Sequence, residues 1–285
     1  MPPLRHAVLG WVLLASLLVP ACARNGRHDP DYVDAYYGPR DWKRDAERDS
    51  VPLAAILRTA DSLVARLGAM GVPRGADELT ALRHRYLARQ LQALAARSRM
   101  LAGEKLSFDQ ESGALYDAVA PAVSESACAP LLARVDSLLP GRGALGDRWE
   151  SFRKGLVIPP ARLDTVFRVA IAEARRRTVA HLSLPDSEAF AVECVKHQPW
   201  GGYNWYQGGY RSLIQVNTDL PIHLDRVLDL ACHEGYPGHH VYNMLLEDAL
   251  VRGRGWKEFT VYALFSPQSL IAEGTAVVAP DVAFP

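Results

Sequence analysis

Over much of the first two thirds of the chain, apolar residues recur at intervals of three and four. Leu53, Ile56, Leu57, Leu63 and Leu67 form one series, and Leu79, Leu82, Tyr86, Leu87, Leu91 and Leu94 form another within an Ala/Arg/Leu/Gln-rich stretch. That spacing puts an apolar stripe along one face of a helix, and those residue types are strong helix formers. Gly71-Val72-Pro73-Arg74-Gly75 and Leu139-Pro140-Gly141-Arg142-Gly143 interrupt the pattern as turns. Pro159-Pro160 opens a further helix past Val166, Val169, Ile171 and Ala174, because proline is tolerated in the first helical turn. Residues 32–183 read as a helical domain. Near residue 184 the pattern changes. Phe190–Lys196 and Tyr210–Asn217 have strand composition, and the glycine-punctuated aromatic segment Gly201–Gly209 lies between them. A small antiparallel sheet is expected over residues 188–217. Asn217-Thr218-Asp219 then predicts a helix start, with Ile222, Leu224, Val227, Leu228 and Ala231 as its apolar face. The fold class expected is mainly α with a small antiparallel β-sheet, the sheet and the helices after it occupying residues 184–285.

The N-terminus follows neither pattern. A weakly basic start through Arg5 and His6 precedes the uncharged apolar run Ala7–Val19, which falls short of the roughly 20 residues a membrane-spanning helix needs. Residues 1–21 read as a cleaved export signal. Leu18-Val19-Pro20-Ala21-Cys22 resembles a bacterial lipobox, which makes Cys22 the expected lipidation site and the polar, turn-rich residues 22–31 a tether. The expected location is the bacterial cell envelope, lipid-anchored at the outer membrane or facing the periplasm. The run from Asp29 to Trp42, rich in aromatics and carboxylates, reads as a stretch packed on the helical domain, with lining a cleft as the other option.

Composition narrows the partners. Hydrophobic residues at 49% and charged residues at 22% fit a globular chain rather than a disordered one. Thirty-two basic residues balance thirty-two acidic ones, so the surplus positive field that nucleic-acid binding requires is absent. Besides Cys22, only Cys128, Cys194 and Cys232 remain, without CxxC spacing, and they are expected to pack as small buried hydrophobes.

The residues with most chemistry are His233-Glu234-Gly235-Tyr236-Pro237-Gly238-His239-His240. Three imidazoles and a carboxylate within eight residues, directly after an apolar helix, suit zinc. In the HExxH pattern the second histidine stands four residues after the first, on the same helix face. Here that position is Pro237, which cannot ligate and breaks a helix. If Pro237-Gly238 is a two-residue bulge, His239 takes the second ligand's place. In a straight helix His240 would instead return to within about 20° of His233, roughly 10 Å further along. The sequence leaves both open.

This motif resembles that of the bacterial family called domain of unknown function 885, which is similar to the gluzincin zinc metallopeptidases. The likeness is clearest over residues 210–276. It implies a third zinc ligand from a downstream Glu-Gly on a second helix, and Glu273-Gly274 matches it. It also implies a general base at Glu234, beside the first ligand, and likens the strand Tyr210–Val216 to the edge strand at the cleft, with Tyr210, Arg211 and Asn217 as candidate substrate-binding residues. Tyr203, Tyr206, Tyr210 and Arg211 are candidate donors to a developing oxyanion. Two departures stand out. Thr275, Val277, Val278 and Pro280 replace the family's aromatic and acidic residues, and family members continue well beyond this C-terminus, so a C-terminally truncated catalytic region is expected.

These observations predict a zinc-dependent peptidase or related amide hydrolase acting on a peptide or small amide. The alternatives are a zinc hydrolase of another amide or ester, and a non-catalytic envelope lipoprotein with a structural histidine cluster.

Overall fold

The computed structural model describes residues 16–285, so most of the expected signal peptide lies outside the described residues. Residues 16–25 are helical, and Leu18, Val19 and Ala21 pack into the core rather than standing apart as a segment to be cleaved. The chain continues through β1 (Val33–Tyr36), α1 (Arg40–Arg48), α2 (Leu53–Met70), α3 (Glu78–Leu101), α4 (Phe108–Tyr116), α5 (Glu125–Leu138), α6 (Leu145–Lys154) and α7 (Pro160–Val179). Then come β2 (Ala189–Val195), β3 (Gly202–Gly208), β4 (Arg211–Asn217), α8 (Leu224–Leu230), α9 (His239–Leu246), β5 (Val261–Ala263), α10 (Pro267–Val277) and α11 (Ala279–Ala283). The protein is mainly helical, as the sequence predicts.

Local chemistry starts the helices. The Asp77 side chain accepts the Thr80 N–H at 2.7 Å at the head of α3, and Ser107 and Gln110 form a capping box at α4. The expected apolar stripes of α2 and α3 bury Ile56, Leu63, Leu67, Leu87, Leu91 and Leu94 together with Leu18, Val19, Tyr32 and Val261. Each large side chain so buried contributes roughly 1.5–3 kcal/mol. Arg83 on α3 forks onto Glu258 at 2.5 and 3.0 Å, both side chains buried, and this ties the helical layer to the turn that feeds β5.

The sheet over residues 189–217 is mixed rather than wholly antiparallel. Its order is β2-β4-β3, with β4 antiparallel to β3 and parallel to β2. The loop after β2 passes around the end of β4, so β4 lies between the other two strands. The residues expected to start a helix hold this loop: Asn217 Nδ2 donates to Gln198 O at 2.9 Å, and Asp219 Oδ2 accepts His197 N–H at 2.7 Å. The helix therefore starts later, at Leu224. A second, antiparallel pair, which the sequence pattern did not predict, joins β1 to β5. Val33 faces Ala263 and Ala35 faces Tyr262, leaving Asp34 as the extra residue of a bulge.

Two further expectations need correction. Residues 22–31 are folded rather than a loose tether: Asn25 is fully buried and accepts from Ser98 Oγ at 3.1 Å, and Asp29 pairs with Arg97 at 2.7 Å. Of the cysteines, Cys22 and Cys232 are buried, but Cys128 and Cys194 are exposed. Cys128 lies on α5, which buries nothing, and Cys194 on the outer strand β2. Among the described residues no helix is long and apolar enough to cross a membrane.

Removing one partner of the Arg83–Glu258 pair strands a buried charge. Arg83→Met is expected to cost roughly 3–5 kcal/mol in urea unfolding, and Arg83→Met/Glu258→Leu to recover most of it.

Candidate metal centre

Helix α8 leads directly into the site. Its backbone widens over Ala231–Gly235, where the Tyr236 N–H donates to Ala231 O at 3.0 Å across five residues. The chain then breaks at Pro237-Gly238, and α9 begins at His239. The Gly238 N–H donates to Cys232 O at 2.9 Å, folding the break back onto the widened turn. A β-carbon on Gly238 would lie 1.9 Å from His233 O, so no other residue fits without moving the backbone. Such widened turns are common at functional sites.

The break brings His239 beside His233, with ring centroids 4.8 Å apart and planes at 79°. The ligand atoms of His233, Glu234 and His239 all lie within 4.8 Å of one another, and this group could hold a metal ion. Glu273, on α10, reaches the same two imidazoles, its oxygens 3.5 Å from His233 Nε2 and 3.3 Å from His239 Nε2. Tetrahedral bonds of about 2.0–2.1 Å place neighbouring donors about 3.3 Å apart, so these separations fit a zinc-sized ion. Either carboxylate could complete a set with the two histidines.

A cavity of about 260 Å³ opens beside these residues, walled by Trp200, Tyr203 and Tyr262 and bordered by Asp34, Asn204 and Arg226. Strand β3 comes close here. A β-carbon on Gly202 would meet Leu230 at 2.4 Å and Glu234 Oε1 at 3.0 Å, so glycine is what allows the strand to approach the carboxylate. Asn204 Nδ2 donates to Glu234 O at 2.6 Å.

The electrostatics follow from burial and proximity. Burial raises the Glu234 carboxyl above its ordinary value, against the charges of His239 and His233. Bonds from His233 and His239 hold Glu273 well below the usual carboxylate range. Burial works to lower His233, but its bond to Glu273 and the charges of Glu234 and Glu273 raise it. Burial lifts Asp34 to about 6, although its bond from Tyr203 and the charge of His239 oppose the shift.

His240, the alternative second ligand, faces away from the site. It is fully buried, with Nε2 donating to Glu188 Oε2 at 3.0 Å and Nδ1 2.9 Å from Ser212 Oγ. Glu188 also accepts from Tyr236 at 2.6 Å and from Arg175 at 2.8 Å. Burial works to raise Glu188, but the bonds from His240, Tyr236 and Arg175 outweigh it and bring the carboxyl down to about 2.

The substrate-binding candidates Tyr210, Arg211 and Asn217 do not line the cavity. Strand β4, which carries the last two, is the central strand, so the edge at the site is β3. Tyr210 donates to Asp248 at 2.5 Å, Arg211 is exposed, and Asn217 holds the loop after β2. Of the oxyanion candidates only Tyr203 lines the cavity, and its proton goes to Asp34, while Tyr206 donates to Glu247 at 2.6 Å. Sequence reasoning did not single out Asp34 or Asn204. The one signal was the carboxylate- and aromatic-rich run around Asp34, for which lining a cleft was the second option.

No protein-family model, no curated protein and no solved structure matches the chain.

Gly238→Ala forces the break open. It is expected to destabilise the fold by roughly 1–3 kcal/mol and to abolish metal retention after dialysis, read by elemental analysis. Gly274→Ala, where nothing lies within 4 Å of the added β-carbon, is expected to change neither.

Proposed function

We propose that the chain is a zinc-dependent amide hydrolase of the gluzincin-like peptidase type, acting on peptides. The observation that carries this reading is the approach of both histidine Nε2 atoms to Glu273 at 3.3–3.5 Å, with buried Glu234 next in sequence to the first histidine. His233, His239 and Glu273 would hold the ion. Two nitrogens and a carboxylate suit zinc and leave a fourth position open. The bound ion supplies Lewis acidity and lowers the pKa of a coordinated water to about 7.

Glu234 acts as the general base, taking a proton from water and returning it to the leaving nitrogen. Its burial suits that role, because a base works best with its pKa near the working pH. The bond from Asn204 fixes the backbone of Glu234, and Gly202 lets β3 pack against its side chain. Trp200, Tyr203 and Tyr262 supply aromatic walls beside which the reacting bond would lie. A second reading has a specific observation behind it: Glu234 falls within the 4.8 Å ligand group, so it could itself be the third ligand of a closed, non-catalytic site.

The parent is expected to carry about one zinc per chain after reconstitution. His233→Ala, His239→Ala and Glu273→Ala should lose it. Glu234→Gln should keep the metal while peptide hydrolysis falls by about 10²–10⁴-fold. Metal kept in Glu273→Ala but lost in Glu234→Gln would assign the third position to Glu234. No zinc in the parent would sink the proposal.

On the lipobox-like pattern we also place the protein at the cell envelope. The fold opposes this reading: Leu18 and Val19, which cleavage would remove, are core residues, and the Cys22 thiol lies buried 3.9 Å from the Tyr32 hydroxyl. Mass spectrometry of the N-terminal peptide reads this directly, and an unmodified Cys22 would exclude the anchor.

A further inference from the structure

The cavity beside the histidines carries a carboxylate, Asp34, that belongs to no ion pair among the described residues. Asp34 is the extra residue of the bulge in β1, and a bulge re-aims a side chain, here onto the cavity wall. Its hydrogen-bond partner is the Tyr203 hydroxyl. Among the described residues it forms no ion pair, and the guanidinium on the cavity wall, Arg226, is taken by Asp229. A sequestered carboxylate left in this state is costly unless a cation joins it. A divalent ion between the histidines would be offset by Glu234 and Glu273, leaving the charge of Asp34 over.

Asn204 also borders the cavity. Its Nδ2 donates to the Glu234 carbonyl, which fixes the amide's orientation because a carbonyl oxygen only accepts. Its Oδ1 is therefore left buried without a partner, on a residue 6% exposed that lines the cavity. Asp34 and Asn204 thus line the same cavity, with the Asn204 Oδ1 closed off beneath its wall. Its volume of about 260 Å³ falls just under the range of about 300–1,000 Å³ usual for small-molecule sites, which suits one residue better than an extended chain.

We propose that this cavity binds the free α-ammonium group of a peptide, with Asp34 as counter-ion, so that the enzyme removes N-terminal residues. This rests on the hydrolase reading above. Water adds across the first peptide bond: its oxygen joins the carbonyl carbon, the C–N bond breaks, and a water proton passes through Glu234 to the leaving nitrogen. The products are a free amino acid and a peptide one residue shorter.

The test uses the zinc-loaded full chain with leucine hydroxamate and N-acetyl-leucine hydroxamate, which share the zinc-binding group and differ only at the amine. Titration calorimetry is expected to show the free amine binding about tenfold tighter or more. Asp34→Asn should erase that preference with zinc content unchanged and a melting temperature no lower than the parent's. Tyr203→Phe, which keeps the carboxylate, should retain it. Equal affinities in the parent, or a preference that survives in Asp34→Asn, overturn the inference and leave the hydrolase reading standing. Two zinc ions per chain, one of them lost in Asp34→Asn, also overturn it by making Asp34 a ligand. A parent that binds no zinc overturns both. Should Asp34→Asn fail to fold, the ratio measured on the parent still decides.

Discussion

Two residues six apart in sequence cannot share one face of a regular helix at contact distance, and the packing of Gly238 against the carbonyls of Cys232 and His233 is where this helix gives way. A straight helix repeats every 3.6 residues. The widened turn over Ala231–Gly235 and the break after it absorb the extra residues, so His239 arrives beside His233. The next residue, His240, consequently points to the other side, into Glu188, Ser212 and Tyr236. The start of α9 is thus held from two directions, by a steric limit on one side and a buried polar network on the other. That network joins a carboxylate, an imidazole, a phenol and a guanidinium, and such a group rigidifies its surroundings when every member is satisfied.

The other walls of the site depend on packing farther away. Glu273 is delivered by α10, which begins at Pro267 after the buried Ser266, whose hydroxyl donates to Ala263 O at 2.7 Å. Ala263 ends β5, and β5 pairs with β1, which carries Asp34. The Arg83–Glu258 pair anchors the turn just before β5. One short strand therefore fixes residues on two sides of the cavity, and its own position depends on a buried ion pair.

What the sequence made legible was what repeats or clusters. The stripes of α2 and α3 could be read because burial on one helix face imposes a period of three to four. The site histidines could be read because they fall within eight residues around a proline that excludes the ordinary spacing. Glu273 had no such local signal, since Glu-Gly is a common pair, and only the family resemblance pointed to it. The parallel pairing of β2 with β4 was hidden because strand composition does not encode which neighbour a strand takes. Strands β1 and β5, of four and three residues, are too short to show alternation. Asp34 lies far in sequence from the motif, and only the fold brings the two together.

The pairing of β1 with β5 also has a temporal meaning. Asp34 and Glu273 come from nearly opposite ends of the sequence and face one cavity. Contacts of such long sequence separation form slowly, because the whole intervening loop must close first. While the polypeptide is being synthesised, this pocket has no complete wall. The cavity would then close only after β5 has reached β1, late in folding.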